Sequence, residues 1–295
     1  MFSNLVAHSH LFAVSGAGKT RLSLEGLCQN WGIYLSCRAK LGGPSGSGDI
    51  QEASRVFATM STTKKLVEPS SSADQEKNIN AARRAFSQLL CARIFVLEKL
   101  LQKMPSNTTA AVARRRWVLA QILPPWYTQF DIFVTVLKVI RGGDTNVLDQ
   151  IASDILKGLK ERKPSLFPSA KNLFVVVDEA QVAAQGEKGL EYYFRSGDGA
   201  NPRPILREII KSLDESGTFS GVILSGTGLS LGIVNTALSS VSAKNIGKHE
   251  VFVDTGCFGK EDPSHQSYIN RYLKLSGNDS DRRLLERMQY WLSGR

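Results

Sequence analysis

The sequence predicts an α/β fold: a parallel β-sheet with helices on both faces and one large helical insertion. Three observations carry that expectation. Short apolar runs such as "LFVVV" at residues 173–177 have strand length and alternate with amphipathic helical stretches. A continuous apolar run suits a parallel strand covered on both sides. One such run ends in an adjacent acidic pair, "VVVDEAQ", and another in a glycine turn, "ILSGTG". A predominantly helical region, roughly residues 50–165, separates the second predicted strand from the third.

The elements follow in order. "LFAV", Leu11–Val14, reads as the first strand, and a turn and helix run from it to Asn30. "WGIYLSC", Trp31–Cys37, is aromatic and β-branched and reads as the second strand. "GGPSGSGD", Gly42–Asp49, reads as a flexible loop. Within the insertion, helical spacing predicts helices over Asn78–Met104, Thr108–Leu123 and Asn146–Arg162. Thr108 or Thr109 caps the second of these, and Pro124-Pro125 ends it. The third strand is Leu173–Val177, the fourth Ser220–Gly228 and the fifth His249–Gly256, with a helix in "RPILREIIKSL" before the fourth. A C-terminal segment from about residue 263 to 295 is helical and basic. There is no internal repeat, and residues 1–295 are expected to form a single domain.

Composition narrows the classes. The chain has 295 residues, 42% hydrophobic and 22% charged, enough to bury a sizeable core. No apolar run approaches the ~20 residues that span a bilayer, and the N-terminus lacks a secretory pattern. The expectation is an intracellular protein of cytoplasm or nucleus, away from membranes. The four cysteines are scattered without CxxC spacing, so reduced, half-buried thiols are expected rather than a metal centre. A net charge of +10 favours acidic partners, nucleic acid among them, without naming one. "ARRRW", Ala113–Trp117, and "DRRLLER", Asp281–Arg287, are the densest basic patches. They read as solvated helix faces, with contact to a nucleic-acid backbone as the functional alternative.

The chemistry begins at "AVSGAGKT", Ala13–Thr20. The pattern is that of a phosphate-binding loop, Gly-x-x-x-x-Gly-Lys-Ser/Thr, with Ala13 in the first glycine's place. Alanine is tolerated there if it opens the turn at negative φ. Backbone amides of Gly16 to Thr20 would ring a phosphate, helped by the positive end of the following helix. The expected nucleotide-binding set is Ser15, Gly16, Ala17, Gly18, Lys19, Thr20 and Arg21. Lys19 would reach the β- and γ-phosphates, and Thr20 would place its hydroxyl on magnesium.

The second element is "FVVVDEAQ". Asp178 at a strand's carboxyl end would hold magnesium, and Glu179 would act as general base on water. The structural alternative is Asp178 as a helix cap. In "VILSGTG", Thr227 is the first candidate for contacting the γ-phosphate or the water, and Ser225 the second. Arg195, Arg203, Arg207 and Arg295 are candidates for a transition-state arginine. Together these predict a P-loop NTPase of the additional-strand, catalytic-glutamate type. The strand carrying "SGTG" is then expected between the phosphate-loop strand and the acidic strand, by fold analogy.

"FAVSGAGKTRLSLEGLCQNWGIYLSCR", followed by "FVVVDEAQ" and "ILSGTGLS", resembles the ATPase module of fungal Crinkler-type proteins, relatives of trypanosome retrotransposon hot spot proteins. The resemblance covers about Leu11 to Arg295. It implies an ATPase that longer members couple to a nuclease domain or an N-terminal header, and it allows a host nucleus as destination. This chain departs in beginning at the phosphate loop, in Ala13, and in lacking a nuclease constellation. "LKERK" at Leu159–Lys163 holds an E-x-K, but in a predicted helix, and reads as a solvated face. A stand-alone or truncated module is expected.

The leading expectation is ATP binding and Mg2+-dependent hydrolysis that drives a conformational switch. The alternative is a nucleotide-gated binding module with little turnover, whose insertion and basic surface meet nucleic acid or a protein. A third reading is a degenerate fragment that does not fold alone. Nucleotide kinases rank lower because they lack the strand-end Asp-Glu. GTPases rank lower still for want of an Asn-Lys-x-Asp motif.

Overall fold

The computed structural model describes residues 9–12, 18–37, 46–53, 72–123, 130–167, 173–185, 194, 204–227, 232, 250–252 and 278–292. The fold is mixed α/β on a parallel sheet. Its strands are β1 (Ser9–Phe12), β2 (Gly32–Ser36), β3 (Leu173–Asp178), β4 (Phe219–Gly226) and β5 (Glu250–Phe252). They lie in the order β2-β3-β4-β1-β5, and every neighbouring pair is parallel. The "SGTG" strand β4 therefore lies between β1 and β3, as expected. Parallel neighbours need a crossover between them, and the helical insertion supplies the one from β2 to β3.

The described helices are α1 (Lys19–Gln29), α2 (Ser72–Lys103), α3 (Ala110–Ile122), α4 (Ile132–Ile140), α5 (Thr145–Arg162), α6 (Ala180–Gln185), α7 (Ile205–Glu215) and α8 (Asp279–Leu292). Alternation along the strands divides the sheet's two faces. Ile33, Leu35, Val175, Val177, Val222 and Leu224 join the large core made with α2 to α7. Tyr34, Phe174, Val176 and Ile223 form a second cluster with Leu27 of α1 and Val118 of α3. Both faces are thus covered, which is why β2 and β3 are buried along their whole length.

Differences from the sequence reading have local causes. Helix α2 begins at Ser72, six residues before the expected start. Helix α4 was not anticipated, because "IFVTVLKVI" is β-branched and apolar and its propensity leans to strand. Asp131 decides the matter: its carboxylate accepts the amides of Phe133 and Val134, capping the helix, and also receives the Ser47 hydroxyl and the Gly48 amide. Of the two threonines offered as caps for α3, Thr109 is the one whose side chain accepts from Val112. Asp144 caps α5. Asp49, read as the end of a flexible loop, is instead buried and opens a helical stretch at residues 49–53. Residues 13–17, 42–45, 124–125, 228, 249, 253–256, 263–277 and 293–295 of the expected elements lie outside the described residues.

Among the described residues, β2 is the edge strand, and side chains seal it. The Tyr34 amide donates to Gln121 Oε1 at 2.8 Å, and the Gly32 carbonyl accepts Trp117 Nε1 at 2.7 Å. Helix α3 thereby satisfies backbone groups that would otherwise be an open edge. Behind it, Arg93 grips Asp49 with two bonds, and both side chains are buried. Arg93 also donates to Gln121 Oε1 at 3.3 Å and stacks 3.9 Å from the centre of the Phe133 ring. Gly32 is required by close approach: a Cβ there would lie 2.5 Å from the Phe174 carbonyl oxygen.

Candidate functional site

The carboxyl ends of the central strands meet on one edge of the sheet. Phe12 pairs with Gly226, Leu11 with Ser225, Val177 with Leu224, and Ser36 with Asp178. Helix α1 starts at this edge. Gly18 precedes it at φ +80°, a left-handed conformation that glycine adopts without strain, and Lys19 and Thr20 are its first two residues.

Thr20 Oγ1 donates to Asp178 Oδ2 at 2.9 Å across 158 residues of sequence. This contact joins the "GKT" turn to the acidic strand. Tyr34 donates its phenol proton to the same oxygen at 2.6 Å. Among the described residues the carboxylate of Asp178 serves these two hydroxyls and not the first amides of α6, so its role as a simple helix cap falls away.

Lys19 is buried, at 7% exposure. Burial lowers its pKa from the ordinary lysine value, outweighing the opposite pull of the Asp178 and Glu179 carboxylates. Glu179 stands at φ +54°, alone among the described non-glycine residues in that region. A left-handed conformation there costs about 1–3 kcal/mol. Its Oε2 accepts Gln181 Nε2 at 2.5 Å. Gln181 was not singled out from the sequence, although "DEAQ" contains it.

Three buried polar atoms lack a hydrogen-bond partner among the described residues: Ser225 Oγ in β4, Gln181 Oε1 in α6 and Ser23 Oγ in the second turn of α1. Buried hydroxyls and amides are normally satisfied, so each orphan calls for an explanation. Ser225, second choice in the sequence reading, is the next residue along β4 after the Leu224–Val177 pair, level with Asp178. Thr227, the first choice, is exposed in the turn beyond β4. The Arg21 guanidinium binds Glu25 one turn along α1 at 2.8 Å, on an exposed face. Arg207 pairs with its neighbour Glu208, whose carboxyl burial raises in pKa. Ser15, Gly16 and Ala17, with Arg195, Arg203 and Arg295, lie outside the described residues.

The remaining candidates lie elsewhere on the fold. Arg115 and Arg116 are exposed on α3, while Arg114 donates to the Cys28 carbonyl at 3.1 Å. Arg282, Arg283 and Arg287 are exposed on α8. Of the E-x-K pair, Glu161 is exposed in the last turn of α5, and the Lys163 ammonium donates to the Leu101 carbonyl at 2.7 Å. Cys28 is a half-buried free thiol, whereas Cys37 and Cys91 are fully buried ones. Among the described residues no group of three or more His, Cys, Asp or Glu side chains is placed to cage a metal. No described helix is long and apolar enough to cross a membrane.

Comparisons with protein-family models, with curated proteins and with solved structures give no match.

Proposed function

We propose that this chain binds ATP with Mg2+ at the carboxyl edge of its sheet and hydrolyses it to drive a conformational switch. In this reading the fold is a P-loop NTPase of the additional-strand, catalytic-glutamate type. The observation that carries the reading is the Thr20–Asp178 hydrogen bond. A phosphate-loop threonine and a strand-end aspartate are the pair that shares a magnesium ion in such enzymes. The order β1-β4-β3, with a strand inserted between loop strand and acidic strand, supports the subclass. The Crinkler-type resemblance is compatible with both and is offered on the same footing.

The residues present fit a magnesium nucleotide. Lys19 is a buried cation whose charge is disfavoured by burial, as suits a group that would gain from phosphate oxygens. The Ser225 hydroxyl, without a partner among the described residues, adds a donor at the same edge. Thr20 and Asp178 would hold the ion, and Lys19 would bind the β- and γ-phosphates. Bound there, magnesium would neutralise charge developing on the phosphoryl oxygens. Glu179 would orient water and accept its proton. The Gly18 amide at the start of α1 would face the phosphates with the helix's positive end behind it.

One observation favours the nucleotide-gated binding module instead. The Glu179 carboxylate is already engaged by Gln181, in a strained backbone conformation. A base held in this way turns over slowly until something releases it. On that reading, the exposed arginines of α3 and α8 are the surface offered to nucleic acid or an acidic protein.

Calorimetric titration with ATP and GTP, alone and with Mg2+, tests the proposal. Lys19→Ala is expected to remove binding. Glu179→Gln is expected to keep binding and to stop phosphate release. Wild-type protein that binds no Mg-ATP would sink the proposal. Tight binding without turnover would select the binding module. Saturating ATP at 100 times Kd should stabilise the fold by about 2.7 kcal/mol.

A further inference from the structure

Asp178 has a second hydroxyl donor that no motif announces. Tyr34 comes from the edge strand β2, and its ring is buried in the apolar cluster of Leu27, Val118, Phe174, Val176 and Ile223. A phenol in such surroundings needs a partner for its O–H. It takes Asp178 Oδ2, at a 2.6 Å separation typical of a hydroxyl donating to a carboxylate. Thr20 donates to that same oxygen. Two donors converging on Oδ2 fix the plane of the carboxylate and leave Oδ1 outside both bonds.

The other end of Tyr34 is fixed as well. Its backbone amide is held by Gln121 Oε1, which also receives Arg93, and Arg93 is locked to Asp49. One residue thus connects the carboxylate at the sheet edge to the buried polar cluster of the helical insertion.

Resting on the reading of Asp178 as the magnesium-side carboxylate, we propose that Tyr34 is its positioning residue: the phenol sets the orientation of the carboxylate, and the insertion holds Tyr34 in register through Gln121. Two effects oppose each other when the phenol is removed. Asp178 Oδ2 is freed of a competing donor, which favours a cation. It also loses the donor that orients it, which disfavours an ion demanding near-ideal octahedral geometry. Outer partners of ligating carboxylates typically carry 10–100-fold in metal affinity, so orientation wins.

The test is a magnesium titration of ATP binding, run beside ATP binding in EDTA, on wild type and Tyr34→Phe. The Mg2+ concentration giving half the full effect is expected to rise about tenfold or more, with metal-free ATP affinity unchanged. An unchanged or lowered half-point overturns the role of Tyr34 and leaves the nucleotide reading standing. No ATP binding by wild type overturns both. If Tyr34→Phe does not fold, Tyr34→Met removes the donor while filling the space, and the same shift is expected. Loss of the fold in both variants assigns Tyr34 to the core alone and overturns the proposal.

Discussion

Two polar clusters lie at opposite ends of Tyr34, and they are built on opposite terms. In the insertion, Arg93 spends its guanidinium on Asp49, on Gln121 and on the Phe133 ring, all within the fold. Toward the sheet edge, Lys19 is buried at a cost to its charge, Glu179 is strained, and Ser23, Ser225 and Gln181 carry polar atoms without a partner among the described residues. A satisfied buried network rigidifies; a partly satisfied one is costly unless something else completes it. The first cluster ties the insertion to the sheet; on the proposed reading, the second gives up stability for binding.

That contrast can be broken by substitution. Arg93→Ala leaves Asp49 buried without its partner and should cost about 3–5 kcal/mol, read as a lower denaturant midpoint with unchanged slope. A loss below about 1 kcal/mol, the range of an exposed ion pair, would remove the anchor role. Next comes Gln121→Leu, which orphans the Tyr34 amide and should cost about 1–3 kcal/mol by the same measurement. Lys19→Met should move the other way, with unfolding free energy equal to or up to about 1 kcal/mol above wild type while ATP binding is lost. A large destabilisation by Lys19→Met would place that residue with Arg93 and erase the distinction.

The smallest expected effect is on pH dependence, through two buried thiols. Burial raises the Cys91 thiol from 9.0 to about 11, and raises Cys37 further, with Asp178 and Glu179 adding to the effect. The folded-state pKa lies above the unfolded one, so this contribution to stability is intact below pH 9.0 and fades as pH climbs toward about 11. Cys91→Ala should flatten the alkaline decline in unfolding free energy over that interval. An identical decline in the variant would show that another group titrates there.

Much of the sheet-edge site was legible because its signals are local. The run "FVVVD" has the length and apolarity of a covered strand, and "GKT" carries its own turn and helix start. The insertion's cluster was not legible. Asp49 sat in a stretch whose glycines and serines read as loop, and Arg93 and Gln121 looked like the polar positions of ordinary helices. Nothing in the spacing of Trp117 and Gln121 says that they will meet the open edge of a strand. Helix α4 was hidden for a different reason: its β-branched composition opposes helix, and the capping carboxylate of Asp131 lies just outside the apolar run.

What the sequence by itself determined is the set of elements and the chemical character of the edge: strand-length apolar runs, a helix opened by Gly18-Lys19-Thr20, and an acidic pair closing a strand. Periodicity and turn chemistry act over a few residues, so they can be read along the chain. Tertiary structure alone decided which of those residues share a hydrogen bond. Thr20 and Tyr34 reach Asp178 across 158 and 144 positions, and Tyr34 reaches Gln121 across 87. Such partners are chosen by sheet order and by what burial forces each donor to find.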